Sequence, residues 1–225
     1  MAQIRKEPLV NGEYYHIFSR SIAKFVVFND DKDYQRMHQL ISLCRHTKFD
    51  HKYSQFHRMI ESSQNEIISI LKNQDNYLVE IVAYCIMPTH IHFILKQKGD
   101  CGISKFISRI LNGYSRYFNT KHKRTGPLWA GRFKSVLVYH DDQLLHLTRY
   151  IHLNPTSANL VDDLIDWQYS SYKEYISDDV DNGLCNFKNI VDMSNTQYKK
   201  FVNDQKNYQK ELSLIKYLTI DNYSG

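Results

Sequence analysis

The sequence predicts an α+β protein, and three observations carry that expectation. Glu13 to Arg20 alternates and is rich in aromatic residues, which is the pattern of a half-buried strand. Residues 77–96 read as two further apolar strands joined by a tight turn. Between and after these lie segments whose apolar residues recur three and four apart, the period of an amphipathic helix.

Taken in order, a polar leader precedes the strand at Glu13 to Arg20, and Phe25 to Phe28 is a short apolar run. Asn29-Asp30-Asp31 offers a helix N-cap ahead of Tyr34, Met37, Leu40, Ile41 and Leu43, so a helix is expected over about residues 31–46. Residues 47–76 turn polar and read as an excursion from the core holding a short helix or two. After the two strands, a loop around Gly99 and Asp100 leads into Ile103 to Lys123, where Phe106, Ile107, Ile110, Leu111, Tyr114, Tyr117 and Phe118 make a basic amphipathic helix. Gly126-Pro127 breaks that helix and Leu128 to Tyr139 returns to an extended pattern. Asp141 or Asp142 is expected to cap a further helix, ended near Leu153 by Asn154-Pro155. One domain is expected over residues 12–175, with a C-terminal tail at 176–225 to which no role is given.

Composition narrows the classes. With 225 residues and 42% hydrophobic content the chain can bury a substantial core. The apolar run Ile81 to Met87 is far shorter than the roughly 20 residues of a membrane span. Met1 to Pro8 lacks the apolar centre of a secretory signal, so a cytoplasmic protein with no membrane partner is expected. Cys44, Cys85, Cys101 and Cys185 show no Cys-x-x-Cys spacing, which leads to an expectation of reduced, structural thiols. The net charge of +5 is unevenly spread. Ile103 to Val138 holds eight Lys or Arg and no carboxylate, leaving 29 − 8 = 21 basic against 24 acidic residues elsewhere. A basic, aromatic stretch in an otherwise neutral-to-acidic chain is the footprint of a polyanion-binding face. The cations Lys105, Arg109, Arg116, Lys123, Arg124, Arg132 and Lys134, with Tyr114, Tyr117 and Trp129 as stacking surfaces, are the candidate DNA-binding residues.

The chemistry centres on His90-Ile91-His92. Alternation puts His90, His92 and Ile94 on one face of a strand, with the two histidine Cα atoms about 7 Å apart, so both rings can converge on a metal. A pair like this can equally be hydrogen-bonded or solvated, and His16 on the first strand is read as structural or as a support behind the ligands. On the helix after Asp142, Gln143, His146, Tyr150 and Asn154 share a face beside an apolar stripe of Leu144, Leu147 and Ile151. Tyr150 and Asn154 stand one turn apart. If the stripe packs on the sheet, they reach the edge where strand histidines can meet them.

Four stretches together resemble one family. Met87-Pro-Thr-His-Ile-His-Phe93, Gly126-Pro-Leu-Trp-Ala-Gly-Arg-Phe-Lys-Ser135, Arg149-Tyr-Ile-His-Leu-Asn-Pro155 and Asp166-Trp-Gln-Tyr-Ser-Ser-Tyr172 are similar, in that order, to motifs of the REP-associated tyrosine transposases, which are single-tyrosine HUH transposases. The resemblance implies a ferredoxin-like (RRM-like) antiparallel sheet flanked by helices, acting on single-stranded DNA near hairpins with Mg²⁺ or Mn²⁺. It makes His90 and His92 the metal pair, Asn154 the third ligand and Tyr150 the nucleophile that forms a 5′-phosphotyrosine link. Related enzymes act as monomers or homodimers. Thr89 departs from the Asn more usual before the first histidine, and residues 47–76 and those after 176 have no counterpart in the pattern. A non-catalytic nucleic-acid-binding module descended from such an enzyme, and a hydrolase that activates water on a His-x-His metal, are the rival readings.

Overall fold

The computed structural model describes residues 7–49, 51–71, 76–178 and 183–204. Four strands form one antiparallel sheet: β1 (Tyr14–Arg20), β2 (Val79–Met87), β3 (His90–Gln97) and β4 (Lys134–Val138), in the spatial order β2-β3-β1-β4. The helix α1 (Asp31–Cys44) carries the chain from β1 to β2, and α4 (Gly102–Lys121) carries it from β3 to β4. A β-α-β-β-α-β succession with β3 inserted between β1 and β2 is the ferredoxin-like arrangement. The short helices α2 (Tyr53–Phe56) and α3 (Glu61–Leu71) lie between α1 and β2, and α5 (Asp141–Ser157), α6 (Tyr172–Ile176) and α7 (Asn195–Asn203) follow β4.

Strand alternation sorts the core into two halves. On one face Tyr15, Ile17, Ile91, Phe93 and Leu95 pack beneath α1 and α4, through Met37, Ile41, Phe106, Ile110 and Tyr114. On the other face Ala83, Cys85, Met87, Ile94 and Val138 pack beneath α5, through Leu144, Leu147 and Ile151. A register shift between Ile81 and Ala83 interrupts the alternation of β2. The expected cap of α1 is present, with the Asp30 side chain accepting from Asp33 N at 3.0 Å. The contact of α4 with the β2 start is close enough that a Cβ on Gly102 would lie 2.2 Å from the Leu78 carbonyl oxygen.

Two expectations about α5 are corrected. Its N-cap is His140 rather than an aspartate, and Asp141 and Asp142 lie inside the first turn, where their charges complement the helix dipole. The helix also continues through Pro155 to Ser157. The Asn154 amide makes this possible: its Nδ2 donates to Tyr150 O at 2.8 Å and approaches Ile151 O, the carbonyl deprived of Pro155's missing N–H, at 3.5 Å.

The excursion and the tail both join the core. Phe49, Phe56 and Leu71 are buried in the cluster under α1 and α4, while Phe187, Val191, Tyr198 and Val202 are buried in the cluster under α5. The tail forms α7, and its residues beyond Asp204 lie outside the described residues. The Trp167 to Tyr172 segment docks along the outer side of β2, where Ile86 N donates to Tyr169 O at 2.8 Å and Ser171 N to Tyr84 O at 3.0 Å. Cys185 bridges Ile81 further along the same side. All four cysteines are free. Among the described residues no helix is long and apolar enough to cross a membrane.

Candidate active site

Pairing of the central strands assembles the site. In the β1–β3 register Phe18 stands opposite His92 and Arg20 opposite His90, and in the β1–β4 register Phe18 stands opposite Lys134. Directly opposed residues share a face. Arg20, His90, His92, His16 and Lys134 are therefore gathered on the α5 side of the sheet. His16, expected as structural or as a support behind the ligands, takes the supporting place, whereas Arg20 carries no such expectation; the alternation His16, Phe18, Arg20 along β1 is the signal that includes both.

The histidine rings lie 5.0 Å apart between centroids, with planes at 84°. Tyr150 meets them from α5, its ring 5.9 Å from His92 at 90° and 6.2 Å from His16 at 80°. It is only 7% exposed. The amphipathic spacing of α5 thus delivers Tyr150 onto the imidazoles.

Each histidine has one ring nitrogen engaged. His92 Nδ1 lies 3.0 Å from His16 Nε2, and His90 Nδ1 lies 2.9 Å from Thr89 Oγ1. His92 Nε2 is buried without a hydrogen-bond partner. A buried polar atom left so carries a free-energy cost that a ligand can relieve. Burial, followed by the charge of Arg20, pulls His90 down to about 4. Burial, reinforced by His90, His16 and Arg20, holds His92 well below the usual histidine range. Both rings are neutral at pH 7 and so can offer a lone pair. This donor set fits a divalent cation: two neutral imidazoles, one with an orphaned nitrogen. Among the described residues no group of three or more His, Cys, Asp or Glu is placed to hold a metal ion. Asn154, half-buried one turn beyond Tyr150, has its NH₂ tied to the helix carbonyls, which leaves the amide oxygen as the end able to take a cation. His146 sits near Arg149 and Phe201 at the α7 side, with Nδ1 3.2 Å from Arg149 Nη2.

The basic segment divides. Lys134 is half-buried on the histidine face, whereas α4 packs on the opposite face of the sheet. There Lys105 and Arg116 are exposed and Arg109 donates to His46 O at 3.0 Å. Arg36, Lys52, Arg109 and Arg116 line a cleft of about 630 Å³ between α1, α2 and α4. Lys123 and Arg132 are exposed, and Arg124 donates to Pro127 O at 3.2 Å. Of the stacking surfaces expected from sequence, Tyr114 and Trp129 are buried and Tyr117 is half-buried. Tyr114 is fully buried with its hydroxyl donating to Val27 O, and Trp129 is buried with Nε1 donating to Leu111 O at 3.2 Å. Tyr117 donates to Asp33 Oδ1 at 3.0 Å and lies 4.7 Å beneath the Arg36 guanidinium. The apolar stripe that defines α4 is the face it buries, and the aromatic residues on that stripe go with it.

Residues 46–154 match the family model described as "Transposase IS200 like", a span that holds His90, His92, Tyr150 and Asn154. A "Putative REP-associated tyrosine transposase" of Haemophilus influenzae is 29% identical over 119 residues, covering 48% of this chain and 68% of that protein. Over these residues the chain is similar to the IS200-like transposases. Two solved structures are also similar to this chain. One is described as the "Structure of the REP associates tyrosine transposase bound to a REP hairpin", at 18% identity and TM-score 0.49, with 86% of this chain and 96% of that one covered. The other is a putative transposase from Deinococcus radiodurans R1, at 16% identity and TM-score 0.36, with 67% and 95% covered.

Proposed function

We propose that this chain is an IS200-like transposase that nicks and rejoins single-stranded DNA near hairpins, with Tyr150 as the nucleophile and His90, His92 and Asn154 as ligands of Mg²⁺ or Mn²⁺. The observation that carries the reading is the placement of the Tyr150 ring 5.9 Å from His92, whose Nε2 is buried and unpartnered. A bound divalent cation would supply Lewis acidity, neutralising charge that builds on the scissile phosphate.

The chain's own residues do the rest. His16 orients His92: with the proton on His92 Nδ1 and donated to His16 Nε2, the lone pair of His92 is on Nε2. Thr89 does the same for His90, and so takes up a task at the position where the family pattern has Asn. Arg20 and Lys134 bring positive charge to the face a phosphodiester would approach. The Tyr150 oxygen attacks phosphorus, the bond to the 3′ oxygen breaks, and that oxygen leaves as a 3′-hydroxyl. Bond energy is kept in the 5′-phosphotyrosine, so a second 3′-hydroxyl reverses the step and joins strands without a nucleotide cofactor. Lys105, Arg109, Arg116, Lys123, Arg124 and Arg132 supply phosphate contacts.

The test is incubation with labelled, hairpin-bearing single-stranded DNA and Mg²⁺ or Mn²⁺, resolved on a denaturing gel. A covalent protein–DNA adduct that depends on the metal is the expected product. Cleavage without an adduct selects a hydrolase, and binding alone selects a non-catalytic module.

A further inference from the structure

With Tyr114, Tyr117 and Trp129 committed to the core or to protein contacts, the chain needs another surface if it is to grip unpaired bases. One stands beside the turn that leads into His90. Ile22, Phe25 and Val26 are 42%, 53% and 44% exposed, a contiguous apolar patch on the segment joining β1 to α1. Tyr139, the other prominently exposed ring among those described, instead donates its hydroxyl to Glu7.

The patch is braced rather than loose. Ser21 N donates to Thr89 O at 2.8 Å, while Val27 N and Phe28 N both donate to Pro88 O, at 2.9 and 3.2 Å. These carbonyls belong to the turn that ends at His90, so the patch is fixed to the residues next to the histidine pair. Ile22 N donates to Leu128 O at 2.9 Å, and Ser21 Oγ to Phe25 O at 2.5 Å. Ala23 and Lys24 hold φ of 50° and 57°, left-handed values that side-chain-bearing residues seldom adopt and that recur where a surface is shaped for a ligand. The charged residues between Tyr14 and Phe28 are Arg20 and Lys24. The Arg124 guanidinium lies 6.0 Å from the Phe25 ring, which also meets Phe118 edge-on at 6.2 Å. An exposed ring flanked by cations matches a base with its phosphate.

We propose that Ile22, Phe25 and Val26 form a stacking platform for unpaired nucleobases of the strand that runs into the histidine–tyrosine site. The proposal rests on the reading of that site as a DNA-cleaving centre. Phe25 is the principal contact, Arg124 and Lys24 meet the adjoining phosphates, and the neighbouring Pro88–Thr89 turn ties the stacked base to the position of His90. The platform accepts any base, since every base offers a π face.

The probe is a synthetic DNA hairpin with a single-stranded flank carrying 2-aminopurine at successive positions, beside a blunt hairpin of the same stem. Full-length protein, Phe25→Ala and Phe25→Trp are titrated by anisotropy and 2-aminopurine quenching, with melting curves to verify folding. Phe25→Ala is expected to weaken binding of the flanked hairpin by about tenfold or more and to abolish quenching at one or two positions. The blunt hairpin should bind all three proteins alike, and Phe25→Trp should restore both signals. Equal weakening for flanked and blunt DNA, undiminished quenching with Phe25→Ala, or a dimer in sedimentation that Phe25→Ala dissolves without changing flank binding would overturn the platform. The adduct assay on the unmodified protein separates the two readings: Phe25-dependent quenching without any adduct removes the cleavage chemistry and leaves the platform, and an adduct with no Phe25 dependence in binding does the reverse.

Discussion

His16 Nε2 lies 3.0 Å from His92 Nδ1 across the pairing of β1 with β3, in rings stacked within 14° of parallel. The bond makes a residue 76 positions upstream part of how His92 presents its other nitrogen. Partners of this kind typically affect metal affinity 10–100-fold. His16→Ala is therefore expected to weaken Mn²⁺ binding by about that factor while metal-free DNA binding is retained. Thermal melting over a Mn²⁺ titration checks it, since a hundredfold excess over Kd stabilises by about 2.7 kcal/mol. An unchanged titration midpoint would remove His16 from the site.

Tyr150→Phe removes one oxygen from a ring that keeps its edge-on contacts with His16 and His92. Adduct formation should vanish while affinity for the hairpin changes by less than about threefold, or ~0.6 kcal/mol. Adduct persistence in this variant, or its loss only on replacing Tyr114, would transfer the nucleophile elsewhere.

Arg116 is exposed on α4 beside the cleft it lines with Arg36 and Lys52. If it meets a phosphate, Arg116→Ala lowers the slope of log K against log salt by about 0.7–0.9. Parallel lines for the two proteins would show that this part of the basic segment is only solvated.

Lys121, basic but outside the DNA-binding set, is fastened to α1. Its Nζ lies 2.6 Å from Asp33 Oδ1 and 2.9 Å from Asp30 Oδ2, and the Asp33 side chain is fully buried. Lys121→Met leaves that carboxylate with Tyr117 and Asn29 alone, at a cost of about 1–3 kcal/mol in urea unfolding. A change below about 0.5 kcal/mol would contradict this.

Acid should destabilise the fold through its buried histidines. Burial, then the charge of Arg45, pulls His46 down to about 4, against about 6.5 in an unfolded chain. Between those values the unfolded chain binds a proton that the folded one excludes, so stability is lost as pH falls from about 6.5 towards 4. His46→Phe keeps a ring against Tyr77 and should make the decline shallower, though not flat while His90, His92 and His152 remain. Scanning calorimetry from pH 7 to 4.5 would show equal slopes if the premise is wrong.

Local periodicity made much of the site legible. Alternation on β3 placed His90 with His92, and the 100° step of α5 placed Tyr150 beside Asn154, because both patterns are properties of a single element. What escaped needed register between elements. Arg20 joins the site, and the choice between a structural and a supporting His16 is settled, only through the pairing of β1 with β3, which no short window contains. The error on α4 has a different origin: Tyr114 sits on the stripe of Phe106, Ile107 and Ile110, so the pattern that identified the helix also marked it for burial. Pro155 failed as a stop because the Asn154 side chain approaches the carbonyl that proline leaves unpaired. His152 carried no signal at all, yet it is fully buried between Tyr198 Oη and Ser171 Oγ, at 2.8 Å from each, and ties α5 to α6 and α7.

The segments around Ser170 and Cys185 that run beside β2 also leave the two margins of the sheet unlike each other. Their bridges to Cys85 and Ile81 occupy backbone groups that would otherwise template a foreign strand. The opposite margin is β4, five residues long and opening on a lysine, with no strand on its outer side among the described residues. A margin so short, with a charge at its start, gives little purchase to strand-by-strand aggregation. The protein can thus keep its central strands rich in Val, Ile and Phe without inviting neighbouring copies to extend them.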